Sequence, residues 1–120
     1  MVEGDVELGR WIMPWELTRV ATAVGAERVR IVTVVGDSMA PTFHPTDRIL
    51  VDMSDRTPSP PGIFVVWDGL GLVVKRIEYV AHSAPAMLRI ASDNARYAPY
   101  ERCLAEVEIQ GRVIGKWQWA

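Results

Sequence analysis

Alternating apolar and polar positions run through most of the chain and predict short β-strands. The apolar positions are rich in β-branched residues, and turn-forming residues separate the runs. An Asp68-Gly69 pair predicts a tight hairpin turn, and a proline-rich stretch at 55–62 predicts a loop. The predicted strands cover residues 29–35, 48–53, 63–67, 72–79, 87–91, 106–112 and 113–119, with a turn-rich connection at 94–101. Together they indicate a small, mostly β domain with a curled or partly closed sheet.

The N-terminal part has a different pattern. Residues 1–10 are acidic and poor in apolar side chains, which predicts a flexible lead-in or linker before a domain at 11–120. Apolar residues then recur with helical spacing between Pro14 and Gly25, which predicts one short amphipathic helix. Trp11 and Trp15 flank its start and are interpreted as core residues.

The turn after the first long predicted strand contains the candidate nucleophile. Ser38 lies between Gly36 and Pro41, where an extended run must stop and turn. A serine hydroxyl needs a base to accept its proton, and Lys75 is the best candidate. Strand alternation puts Lys75 on an apolar face, away from its neighbour Arg76. Burial there disfavours the ammonium form, so the amine could take a proton.

Each residue alone is a weak signal, since most turn serines are structural and most strand lysines are solvated. Their surroundings are more specific. The stretches 36–42, 47–52 and 73–76, and the separation of Ser38 from Lys75, resemble the S24 peptidase domain of LexA-type and phage repressors. Residues 88–94 and 109–115 are similar to later strands of that family, so the resemblance covers about 11–117.

The resemblance implies a Ser/Lys-dyad serine peptidase that cleaves its own chain. It makes Ser38 the nucleophile and Lys75 the general base, with backbone amides around Asp37 and Ser38 stabilising the oxyanion. Met39 would pack beside the serine and help to exclude water. Family members commonly cut an Ala-Gly or Cys-Gly bond that precedes the catalytic core.

The resemblance also implies partners. One is a second copy of the domain, in a homodimer. Another is operator DNA, bound through an N-terminal helix-turn-helix domain absent from this chain. In members that take part in the SOS response, the third is the RecA filament. Two explanations fit the absence of a DNA-binding part: the sequence is a C-terminal domain excised from a longer protein, or the gene encodes this domain alone. The linker-like lead-in favours excision.

Two features depart from the family pattern. The 120 residues contain no Ala-Gly or Cys-Gly pair, and the candidate bonds before Ser38 are Glu3-Gly4, Leu8-Gly9 and Val24-Gly25. The distance upstream suits Glu3-Gly4, although a charged residue before the cut fits an apolar site poorly. Thr46 also stands where the family usually has glycine, which we expect to cost turn geometry and not chemistry.

Composition limits the other possibilities. A net charge of −2 argues against a nucleic-acid surface on this part of the protein. Cys103 is the single cysteine, so an intrachain disulfide and a CxxC site are excluded, and a reducing, cytoplasmic setting is expected. No apolar run is long enough to span a membrane. No cofactor or metal is predicted, since nucleotide-binding motifs are absent and four aspartates lack ligand spacing: Asp47, Asp52, Asp55 and Asp68.

Alternative chemistries and functions stay open at this point. His44 and His82 could complete a serine, histidine and aspartate triad, but both lie in loop-like contexts. Pro41 and Ala40 exclude SxxK and GxSxG motifs around Ser38. A non-catalytic oligomerisation module is the main alternative, and a signal-peptidase relative, which would share the Ser-Met-x-Pro pattern, is the weakest. Trp117 and Trp119 lie on one face of the last predicted strand and suit either a subunit interface or the domain's own core.

Overall fold

The computed structural model describes residues 28–117 in full and residues 2–3 and 6–8 as strand backbone. Within these residues nine strands form one antiparallel sheet. The strands are β1 (Val2–Glu3), β2 (Val6–Leu8), β3 (Val29–Val34), β4 (Arg48–Asp52), β5 (Gly62–Trp67), β6 (Leu72–Tyr79), β7 (Met87–Ala91), β8 (Tyr100–Cys103) and β9 (Glu108–Trp117). A short 3-10 helix, Leu104–Glu106, precedes β9. The mostly β fold is confirmed.

The last strand lies in the middle of the sheet, whose order is β1-β2-β3-β4-β9-β5-β6-β7-β8. The first half of β9 pairs with β5 and its second half with β4, and the register shifts once against each partner. Such bulges bend a strand and increase its twist. At Gly111 a Cβ atom would lie 2.6 Å from the backbone oxygen of Asp52, so the close approach of β9 to β4 requires glycine. Strand β9 therefore joins the half of the sheet that contains β3 to the half that contains β6.

Strand alternation divides the buried side chains between clusters. Phe64 and Val66 of β5 belong to one cluster, and Val65 between them belongs to another. The cluster nearer β3 and β4 consists of Val32, Val34, Met39, Phe43, Ile49, Val51, Val65, Leu72 and Val74. The cluster nearer β7 consists of Phe64, Val66, Ile77, Leu88, Ile90, Val107 and Ile109. Strands β5 and β6 contribute to both clusters, which explains why their sequences are almost continuously apolar.

The predicted hairpin turn between β5 and β6 is confirmed. Gly69 has a φ of 98°, a conformation that glycine adopts without strain. The Asp68 carboxylate accepts hydrogen bonds from the backbone amides of Leu70 and Gly71, at 2.9 and 3.0 Å. This turn fixes the register in which Phe64 of β5 lies opposite Lys75 of β6.

Several elements differ from the predictions. Residues 1–10 were predicted to be a flexible lead-in, but β1 and β2 lie there and β2 pairs with β3. Strand β8 falls at the end of the segment predicted as a turn-rich connection. The two predicted C-terminal strands are one continuous strand, because β9 passes through its bulges without ending. The predicted helix with Trp11 and Trp15, and Trp119, lie outside the described residues.

Candidate active site

The turn that carries Ser38 is anchored in the core on both sides. Met39 is 1% exposed and Phe43 is buried, and the amide of Phe43 donates to the carbonyl of Met39 at 2.9 Å. At the base of the loop, the amide of Val34 donates to Asp47 and the amide of Thr46 donates to Val34, at 2.8 and 2.7 Å. These contacts hold Ser38, itself 4% exposed, on a closed and packed turn.

Lys75 lies in the middle of β6 and is 7% exposed, whereas its neighbour Arg76 is exposed. Its cross-strand partner is the fully buried Phe64. The Lys75 Nζ atom donates a hydrogen bond to Ser92 Oγ at 2.9 Å. Among the described residues, Ser38 and Lys75 are the polar or charged residues that are buried. Burying such groups costs free energy, so the fold must compensate for both.

The segment 92–97, which follows β7, binds both candidate residues. The amide of Asn94 donates to the carbonyl of Ser38 at 2.9 Å, and its side-chain Nδ2 donates to the carbonyl of Asp37 at 3.0 Å. Ser92 accepts from Lys75. The Tyr97 hydroxyl donates to Asp37 Oδ1 at 2.5 Å, and its ring centroid lies 5.7 Å from the Lys75 Nζ atom. This one segment therefore brings the serine turn and the lysine strand to the same site.

Asp93 adds a second connection between the two. Its carboxylate accepts from Thr42 Oγ1 at 2.5 Å, and from Arg76 Nε and Nη2 at 2.6 and 3.1 Å. Burial alone would raise the pKa of Asp93, but the hydrogen bonds from Arg76 and Thr42 and the Arg76 charge outweigh it, so the pKa lies below its ordinary value of 3.8. Asp93 is thus ionised at neutral pH and ties the loop after Ser38 to the residue after Lys75.

Comparisons with known proteins identify the family to which the chain belongs. The profile of the family described as Peptidase S24-like matches residues 2–114. This chain belongs to the S24 peptidase-like family. It is also similar to the 26 kDa repressor protein of Escherichia phage HK022, with 39% identity over 71 residues. That match covers 59% of this chain but only 28% of the phage repressor.

Other candidate chemistries find less support in this S24 peptidase-like chain. His44 and His82 are both exposed, and His82 lies in a turn. Within residues 2–3, 6–8 and 28–117, no three His, Cys, Asp or Glu residues are grouped as a metal site requires. In the same residues no helix is long and apolar enough to cross a membrane. A pocket of about 260 Å³ opens beside Arg76, but neither Ser38 nor Lys75 lines it.

Sequence reasoning missed the contacts that segment 92–97 makes with the two candidate residues. It singled out Ser38, Lys75, Asp37 and Met39, and treated Ser92 and Asn94 only as part of a strand-like resemblance. The contact between Ser92 and Lys75 follows from strand pairing, because β6 and β7 pair antiparallel with Arg76 opposite Ala91. The next step along each strand puts residue 92 beside residue 75. Finding it requires the register, which local sequence does not give.

Proposed function

We propose that this chain is the catalytic and subunit-pairing domain of a LexA-like or phage-repressor-like transcriptional regulator. In this proposal Ser38 and Lys75 form a dyad that cleaves a peptide bond of the same protein. The supporting observation is that Ser38 and Lys75, the buried polar residues among those described, are both bound by segment 92–97. A buried lysine and a serine on a packed turn, held by the same segment, are the groups that this chemistry requires.

The proposed reaction assigns a step to each group. The neutral Lys75 amine accepts the Ser38 hydroxyl proton as Oγ attacks the scissile carbonyl carbon. The amides of Asp37 and Ser38 donate to the oxyanion, and the lysine then returns the proton to the leaving amine. Water hydrolyses the resulting ester and regenerates the serine. Ser92 orients the lysine, and Met39 keeps the turn packed and dry.

The sheet register supports a candidate for the scissile bond. Strand β2 pairs with β3 so that Val6 lies opposite Val34, and β1 ends at Glu3. Val34 is the last residue of β3 before the turn that carries Ser38. The last residue of β1 and the first residue of β2 therefore lie at the end of the sheet from which the chain continues to Ser38. We assign the Glu3-Gly4 bond as the first candidate substrate, with Leu8-Gly9 and Val24-Gly25 as the alternatives for peptide mapping.

The test is self-cleavage of the full regulator between pH 6 and pH 10. The cleavage rate should rise with pH as the lysine amine loses its proton, and Ser38→Ala should abolish cleavage. Ser59→Ala, which replaces an exposed serine, is the matched control and should cleave like the parent. Mass spectrometry of the fragments identifies the bond. Cleavage of Ser38→Ala at the parental rate would refute the proposed activity.

The absence of an Ala-Gly or Cys-Gly pair favours a second candidate, a non-catalytic oligomerisation module. Trp117 is the residue through which subunit pairing can be tested. It is only partly buried against the cluster of Val29, Ile31 and Leu50, and its ring lies 5.7 Å from the Arg48 guanidinium. Sedimentation tests the subunit pairing that both candidates share, and a domain monomeric at high micromolar concentration would count against the oligomerisation module. The Ser38-dependent cleavage described above separates the two candidates. Loss of the dimer in a folded Trp117→Ala variant would assign the interface to β9, and an unchanged dimer would place it elsewhere.

Operator DNA and the RecA filament belong to the same proposal as partners of the whole regulator. With a net charge of −2, the domain itself should not retain DNA. In a mobility-shift assay the full regulator should bind its operator and the domain alone should not. Binding of operator by the isolated domain would contradict this division of roles.

A further inference from the structure

We propose that Tyr97 is a positioning residue of the Ser38 and Lys75 dyad, acting through two separate parts of its side chain. Its ring covers the Lys75 amine, and its hydroxyl holds the turn that carries Ser38. The inference rests on the proposed function and extends it to a residue that the sequence pattern did not single out.

The ring is the part that acts on Lys75. Its centroid lies 5.7 Å from Nζ, within the range at which an aromatic face interacts with an amine or ammonium group. Tyr97 is 44% exposed, while Lys75 beneath it is 7% exposed. The ring therefore stands between the amine and the surface. Removing it would open the amine to water and would also remove the attraction of the ring for the ammonium form, so the two changes together should alter how the cleavage rate depends on pH.

The hydroxyl is the part that acts on Ser38. It donates to Asp37 Oδ1 at 2.5 Å, next to the nucleophile in sequence. The amide of Tyr97 donates to the carbonyl of Asn94 at 3.1 Å, and Asn94 in turn binds the carbonyls of Asp37 and Ser38. Asp37 is thus held from its side chain and its backbone by one turn. Losing the hydroxyl should loosen the serine turn without uncovering the lysine.

Other charged groups surround the site but do not substitute for the ring. On β9, the Arg112 guanidinium lies 4.5 Å from the Phe64 ring, which separates it from Lys75 in the register. Arg76 and Asp93 pair with each other. Two further acidic residues lie on segments near Lys75. Asp37 accepts the hydrogen bond of the Tyr97 hydroxyl, and Glu7 belongs to β2, a strand that also approaches β6. All of them are unchanged in the variants below.

Two variants separate the two roles in the full chain. Tyr97→Leu should change the pH of half-maximal cleavage, because the amine loses both its cover from water and its contact with the ring. Tyr97→Phe should leave that pH unchanged and lower the maximal rate by roughly threefold to tenfold, the effect of losing one hydrogen bond. Tyr79→Leu is the matched control, since Tyr79 lies on the same strand as Lys75, is 41% exposed, and should change neither quantity.

A spectroscopic readout is independent of catalysis. The chain contains two lysines, Lys75 and Lys116, so ¹³C-lysine labelling gives two sets of ε-methylene signals. The ring current should shift the Lys75 signal in the parent and in Tyr97→Phe, and Tyr97→Leu should remove that shift. Lys116, which pairs with Asp47 at 3.0 Å, serves as the internal reference.

The outcomes distinguish this inference from the proposed function. A parent that never cleaves, but shows the ring-current shift, refutes the dyad and with it the positioning role, while leaving the contact itself established. A parent that cleaves only with Ser38 present, together with Tyr97→Leu and Tyr97→Phe profiles identical to the parent, refutes the Tyr97 role alone. The split between pH position and maximal rate supports both.

Discussion

Thr46 stores backbone strain in the loop that returns from Ser38 to β4. Its φ is 75°, in the left-handed region that costs a residue with a side chain about 1–2 kcal/mol. Thr46 is exposed, so its side chain gains no burial in return. Its amide still donates to the Val34 carbonyl at 2.7 Å, which fixes the conformation at the base of the loop. A glycine would adopt this conformation without the strain.

We therefore expect Thr46→Gly to stabilise the domain. Relief of about 1–2 kcal/mol is partly offset by the greater entropy of glycine in the unfolded chain, roughly 0.5–1 kcal/mol. The net gain in unfolding free energy is about 0.5–1 kcal/mol, or roughly 2–5 °C in Tm for a domain of this size. Urea denaturation and thermal melts of the two proteins measure it.

The control is Thr57→Gly. Thr57 is also exposed, but its φ is not positive, so the substitution adds chain entropy without relieving strain. We expect this variant to be less stable than the parent, opposite in sign to Thr46→Gly. If both substitutions destabilise the domain equally, the strain at Thr46 is not real and the reasoning fails.

Three further predictions follow from contacts around the sheet. Gly111→Ala should destabilise the domain by about 1–3 kcal/mol, since the new methyl group would clash with the backbone of Asp52. Gly115→Ala is the control and should be tolerated, because the nearest atom to its new methyl group lies 3.8 Å away. Equal denaturation midpoints for the two variants would contradict this. Arg112 holds loop 55–61, because its guanidinium donates to Asp55 and to two backbone carbonyls of the loop. Lysine cannot replace these contacts, so Arg112→Lys should speed trypsin cleavage after Arg56. An unchanged cleavage rate would refute this role of Arg112. Asp93 has a lowered pKa, so its ionised carboxylate stabilises the fold above the unfolded value near 3.8, and this stabilisation is lost as pH falls through the folded pKa. Acid denaturation of Asp93→Asn should therefore show a smaller loss of unfolding free energy below pH 4 than the parent. An equal loss in the two proteins would contradict this role.

The sequence predicted the strands well where packing follows local pattern. Strand β6 was predicted with the observed bounds, because its apolar run and the Asp68-Gly69 turn define both ends. Strand β8 was missed because Tyr100–Cys103 has no buried residue and lies at the edge of the sheet, where a partner strand and not apolar burial defines it. The continuity of β9 was missed for a related reason, since bulges interrupt its alternation.

The candidate site divides in the same way. Each of Ser38 and Lys75 alone is a weak signal, and they were identifiable because the local stretches around them resemble those of the S24 family. Ser92, Asn94 and Tyr97 look like ordinary loop residues, and their roles arise only when β7 pairs with β6 and returns the chain to the serine turn. Long-range register, which no local window contains, creates that part of the site.

The central claim is that Ser38 and Lys75 act as one unit, and a double-mutant comparison of self-cleavage rates tests it most directly. Residues of one catalytic unit lose nearly all activity singly, so the second substitution adds little. We predict that Ser38→Ala, Lys75→Met and the double variant of the full regulator cleave at the same residual rate. A double variant slower than both single variants by the product of their effects would show that the two residues act independently, and would contradict the dyad.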